Sequence, residues 1–117
     1  MENTRIVNVA GAKVTVIDEL TMKHRNQLRR IRRIAQASGA EPDTAAEFGL
    51  IVVRTVVIDG DLWKPPSATA PEHEILAGFE YMLENVTGKT IDAWLIAMAS
   101  EDTDPSTGPI APTDPNS

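Results

Sequence analysis

The chain has 117 residues, enough for one domain, and a formal net charge of −6. It contains no cysteine, which excludes disulfides, zinc–thiolate sites and thiol nucleophiles. No apolar stretch approaches the roughly 20 residues that cross a bilayer, and Met1-Glu2-Asn3-Thr4-Arg5 lacks the basic-then-apolar run of a secretory signal, so a cytosolic location with no membrane contact is expected.

The net charge conceals a division. Residues 1–33 hold eight basic side chains against three acidic ones, a local charge of +5. The remainder holds three basic residues (Arg54, Lys64, Lys89) against fourteen acidic ones, a charge of −11. Such a split suits a polyanion-binding arm, attraction between the two halves, or the steering of a charged protein partner.

Arg5-Ile6-Val7-Asn8-Val9 and Lys13-Val14-Thr15-Val16-Ile17 alternate with period two around Ala10-Gly11-Ala12. This pattern predicts an N-terminal β-hairpin over 5–17. A lone hairpin is marginal in water, so it is expected to pack on something or to extend another sheet.

A helix is predicted over 21–38, with Thr21 as its cap and Asp18 and Glu19 near its positive end. Leu20, His24, Leu28, Ile31, Ile34 and Ala35 fall on one face at helical spacing, and Arg25, Arg29, Arg32 and Arg33 fall on the other. Gly39 supplies the stop.

Thr44 and Glu47 have the spacing of a reciprocal capping box, which predicts a helix start. The run Leu50–Ile58 that follows is apolar nearly all round, and seven of its nine residues are β-branched. That composition favours a strand, whereas the cap and the unbroken length from Thr44 favour a helix. We therefore expect a buried helix over 44–58, the hydrophobic centre of the domain.

Asp59-Gly60-Asp61 forms a turn and Lys64-Pro65-Pro66-Ser67 a loop. A third helix is predicted over 71–87, opened by Pro71 with Glu72 and Glu74 in its first turn and ended by Gly88. Its apolar stripe is Ile75, Leu76, Phe79, Met82, Leu83 and Val86. A fourth, capped by Thr90, spans 90–100 and carries Ile91, Trp94, Leu95 and Met98. The expected fold is thus mainly α with a small N-terminal β-hairpin, about four helices packed around a buried apolar helix, all within a single domain at 1–100. Residues 101–117 hold four prolines, four acids and one sizeable apolar residue, Ile110, which predicts a disordered acidic tail.

Few residues point to chemistry. The cluster from Lys23 to Arg33 holds six of the eleven basic side chains. The simplest reading is a solvated helix face. Contact with an acidic protein comes next, and nucleic acid last, because no aromatic residue interleaves the cluster to stack on bases and the rest of the domain is acidic. His24 sits on the apolar face as a hydrogen-bonded core histidine. His73 lies between Glu72 and Glu74, but adjacent helical residues diverge, so the triplet does not converge on one ion. Asp59-Gly60-Asp61 lacks the further ligands of a calcium loop. No nucleophile-elbow, Walker or dinucleotide-binding glycine pattern occurs. No catalytic residue, cofactor site or metal site is assigned, and the chain is expected not to be an enzyme. Trp63, beside Pro65-Pro66, is the first candidate for an interface anchor, and Trp94 is expected in the core.

The order of these features resembles the tail assembly chaperones of siphophages and related long-tailed bacteriophages. The likeness runs over about residues 5–100. It consists of the hairpin ending in Val14-Thr15-Val16-Ile17-Asp18-Glu19-Leu20-Thr21, the basic helix Lys23-His24-Arg25-Asn26-Gln27-Leu28-Arg29-Arg30-Ile31, the apolar run Leu50–Ile58 with its Asp59-Gly60-Asp61 turn, a Pro-containing loop and two closing helices. The resemblance implies a non-catalytic protein of the host cytoplasm, absent from the finished virion. It would bind the tape measure protein, keep it soluble and help recruit tail tube subunits; self-association is left open. In such an arrangement the 101–117 tail would suit the linker to a frameshifted longer form. Arg25, Arg29, Arg32, Arg33 and Trp63 are the partner-binding candidates, with a groove expected between the basic helix and the third helix. The competing readings are a small nucleic-acid-binding regulator that uses the basic helix 23–33, and a structural neck or tail-completion protein that stays in the virion.

Overall fold

The structure is a computed structural model that describes residues 3–99. Two strands come first, β1 (Thr4–Val9) and β2 (Ala12–Ile17), paired antiparallel with Val7 opposite Val14. The two-residue loop between them puts Ala10 at φ 51° and Gly11 at φ 87°, both in the left-handed region. That is the pattern of a tight hairpin turn whose twist matches the strands. Gly11 adopts it freely and Ala10 does so at a cost of about 1–2 kcal/mol.

The basic helix, α1 (Met22–Ala37), starts at a full capping box. The Thr21 hydroxyl accepts from the His24 amide, and His24 Nδ1 accepts from the Thr21 amide at 3.1 Å. His24 is accordingly buried, as its place on the apolar face predicts. At the other end Gly39, at φ 104°, lets the chain reverse while Ala40 N–H returns to Ala35 O.

The segment expected as one buried helix over 44–58 is two elements. Helix α2 (Pro42–Arg54) begins two residues early, with Pro42 in its first turn. Glu41 is the N-cap residue and makes no side-chain cap bond, so Thr44 does not cap the helix. At Thr55 the backbone turns extended, and β3 (Thr55–Asp59) continues as a strand. Two causes act together. Arg54 turns its guanidinium to the Ile17 carbonyl at 2.8 Å, fixing the helix end against the close of β2. The β-branched Val56-Val57-Ile58 that follows suits a pleated surface.

Strand β3 pairs antiparallel with β2, from Lys13 opposite Asp59 to Val16 opposite Thr55. The register slips at Val56, which bulges out of the ladder. The N-terminal hairpin is thereby part of a three-stranded sheet ordered β1-β2-β3, with β2 in the centre. This sheet is the support that a lone hairpin lacks.

Helix α3 (Glu72–Asn85) buries Ile75, Phe79 and Met82 at i, i+4 and i+7. Leu83, assigned to this stripe from sequence, is instead 57% exposed. Helix α4 (Gly88–Ala99) starts two residues before the expected Thr90. Its cap is Thr87, whose hydroxyl accepts from the Thr90 amide at 3.2 Å, so Gly88 opens this helix and does not close α3. Trp94 is fully buried.

The core joins one face of the sheet (Val9, Val14, Val16) to Ile31 and Ala35 of α1, Phe48, Ile51 and Val52 of α2, and the buried stripes of α3 and α4. Helix α2 is central, packing on α1, α4 and β3, while α4 also lies along β1. The 101–117 tail predicted from composition lies outside the described residues.

Candidate protein-binding surface

The six cations from Lys23 to Arg33 divide into two sets. Arg30 points toward the loop before α3 and donates to the carbonyls of Ala70 at 2.7 Å and Ala68 at 3.2 Å. Arg32 is half-buried at the α1–α2 contact, where its stem lies against Gly49 and its Nε is buried without a hydrogen-bond partner among the described residues. Both side chains serve the packing of α1 on its neighbours.

Lys23, Arg25, Arg29 and Arg33 are exposed. Among the described residues none of these four has an ion pair, and the one hydrogen bond that their side chains make runs from Arg29 to Asn26 Oδ1 at 2.9 Å. Arg25, Arg29 and Arg33 follow one another at i, i+4 and i+8. Like charges at this spacing repel and weaken a helix by a few tenths of a kcal/mol per pair, so their repetition along one ridge does not serve the helix they sit on.

Beside Arg33 a shallow concavity of about 320 Å3 opens between α1 and α3, lined by Arg30, Arg33, Ile34, Ala37 and Glu72. Its chemistry is mixed. The apolar Ile34 and Ala37 lie with the cations Arg30 and Arg33 on the α1 side, and the carboxylate of Glu72 comes from α3.

Trp63 lies elsewhere. It stacks on Phe48 with ring centroids 6.4 Å apart and meets Trp94 edge-on at 6.0 Å, while Phe48 meets Phe79 at 5.0 Å. Four of the five aromatic residues thus form one cluster, and Trp63 is its half-buried outer member. Its outer side lines a second groove of about 380 Å3 with Asp61, Tyr81, Asn85 and Thr90. This groove borders the C-terminal end of α3, whereas the arginine groove borders its first residue, Glu72. A 14-residue helix is about 20 Å long, so the structure does not bring Trp63 and the arginines together.

Some residues that tie the elements together were not singled out from sequence. Arg5 donates to the Asp18 carboxylate and to the Met98 carbonyl, both at 2.6 Å, tying β1 to the last turn of α4. Arg54 and Arg30 likewise hold backbone carbonyls of distant segments. An arginine in an otherwise apolar run, as Arg54 is, is the one sequence signal that marks such a role. Tyr81, 52% exposed on the second groove, falls outside the Ile75–Phe79–Met82 spacing and is recognisable on that ground.

No group of three or more His, Asp or Glu side chains among the described residues is placed to hold a metal ion. No described helix is long and apolar enough to cross a membrane. Comparison with protein-family models, with curated proteins and with solved structures found no match.

Proposed function

We propose that this chain is a non-catalytic tail assembly chaperone of a long-tailed bacteriophage. In this reading it acts in the host cytoplasm, binds and solubilises the tape measure protein, helps recruit tail tube subunits and does not enter the mature virion. The observation that most supports the reading is the row Arg25, Arg29, Arg33, exposed and without ion pairs among the described residues, whose last member borders a groove lined by Ile34 and Ala37. A surface of that composition suits a partner that is both apolar and acidic. Long helical proteins awaiting assembly expose apolar seams that aggregate, and a groove between helices covers such a seam by the helix-in-groove mode. The cations would speed encounter and set orientation.

The test is the aggregation of the tape measure protein on dilution from denaturant, followed by light scattering with the purified full chain present. Scattering is expected to fall in proportion to added chain, and to level off once the partner is saturated. Undiminished scattering at a several-fold excess contradicts the proposal.

A further inference from the structure

Of the arginines on α1, Arg30 and Arg32 are used by the fold, while Arg25, Arg29 and Arg33 are not. Three cations that repel one another along an exposed ridge do not stabilise the helix. Their spacing is informative. Four residues of α-helix rise about 6 Å, so the ridge presents a positive charge at about every 6 Å along its axis. The complement is an anion repeat of the same length, which an α-helix supplies when acids recur at every fourth residue.

Resting on the chaperone reading above, we infer that Arg25, Arg29 and Arg33 recognise an acidic α-helix laid along α1, with Asp or Glu at i, i+4 and i+8 flanked by an apolar stripe. Each i+4 step turns about 40° past a full turn at 3.6 residues per turn, so the charged row is inclined by roughly 26° to the helix axis, and matching a second such row to it makes the docked helix cross α1 at roughly 50°. The groove beside Arg33 sets which side the apolar stripe takes: Ile34 and Ala37 receive it. Glu72, contributed by α3, disfavours a second acidic row there, so the docked helix presents its acids to one side only.

Phosphates would satisfy the same cations, and the surroundings argue against them. The chain beyond residue 33 has a net charge of −11, Glu72 lines the adjacent groove, and no aromatic residue lies among Arg25, Arg29 and Arg33 to stack on bases.

The experiment uses the full chain and a fluorescent peptide of about 20 residues, long enough for helical structure. The peptide carries Glu at every fourth position beside a Leu stripe, and a scrambled peptide of identical composition is the control. Anisotropy titrations are expected to show at least about tenfold tighter binding of the patterned peptide, a difference of about 1.4 kcal/mol. The triple variant R25E/R29E/R33E is expected to lose that preference with an unchanged melting curve. A peptide with Lys in place of the patterned Glu is expected to bind the triple variant and not the original chain. Equal binding of patterned and scrambled peptides overturns the inference, and this arm needs no variant. So does a DNA oligonucleotide that binds more tightly than the patterned peptide, with affinity falling steeply in salt. If the peptide series behaves as expected while the tape measure protein still aggregates, the chaperone reading fails and the helix-recognition surface stands. If aggregation is suppressed equally by the triple variant, the chaperone reading stands and this surface is not its means.

Discussion

Gly78 sits inside α3, where glycine ordinarily weakens a helix by about 0.5–1 kcal/mol relative to alanine. Here it is a contact residue, because a Cβ at this position would lie 2.7 Å from Pro66 Cδ and 2.8 Å from Pro66 Cγ. A proline ring is rigid and cannot give way, so the Pro65-Pro66 loop would have to move. We predict that Gly78→Ala destabilises the chain by about 1–3 kcal/mol, the range for overpacking, in urea unfolding. Gly88→Ala, in open space at the start of α4, is predicted to be neutral or to stabilise by up to about 1 kcal/mol. Equal effects at the two positions would show that the loop does not pack on α3 as described. This distinction was not legible in the sequence. Both glycines lie in or beside predicted helix 71–87, and only the position of Pro66 separates them. The roles of Arg30 and Arg32 were equally hidden, since helical periodicity gives a side chain's direction and not the carbonyls or packing it meets at the far end. His24 was legible, because a polar residue on an apolar stripe one turn after a cap has few alternatives.

At the scale of elements, α1, α3, α4 and the hairpin were readable from apolar spacing and turn residues, with boundaries displaced by one or two positions. The segment from Pro42 to Asp59 was not. Its two signals were both real and belonged to different halves. The apolar run through Val53 is a helix, and the β-branched Val56-Val57-Ile58 is a strand. What decides the split is tertiary: β2 needs a partner on its second edge, and Arg54 finds its carbonyl on Ile17. The consequence is measurable. Ile51 is wholly buried, whereas Val57 is 56% exposed on the outward face of the sheet, opposite Thr15, which is in turn opposite Ile6. Ile51→Ala is predicted to cost about 2–5 kcal/mol, and Val57→Thr to stay within about 0.5 kcal/mol. A continuous buried helix would make both substitutions costly, so a large loss from Val57→Thr would contradict the strand. The exposed row Ile6–Thr15–Val57 is short, and the bulge at Val56 bends the edge strand away from further pairing.

For the whole molecule, the charge division seen in the sequence has a physical counterpart in the fold. A few basic side chains hold segments together through backbone carbonyls: Arg5, Arg30 and Arg54. Arg32 packs at the α1–α2 contact, and the other cations of α1, Lys23, Arg25, Arg29 and Arg33, are exposed, with the groove beside Arg33 separated from the Trp63 groove by the length of α3. Composition revealed the charge excess, and only the structure separated the cations that fold the chain from those left over. Trp63 illustrates the reverse. Its rarity made it an interface candidate, but its stacking on Phe48 and edge-on contact with Trp94 mean that Trp63→Ala would disturb the aromatic cluster before it reported on binding. Tyr81, exposed on the same groove, is the cleaner probe of that face.

The proposed chaperone function rests on an association, so the most direct measurement is co-expression of the full chain with the tape measure protein, the longest coiled-coil protein encoded nearby. The soluble fraction and co-elution at moderate salt are scored for the original chain and for R25E/R29E/R33E. The partner is expected to become soluble and to co-elute with the original chain, and both effects are expected to fall sharply with the triple variant. A partner that stays insoluble, with no complex recovered from the original chain, would contradict it.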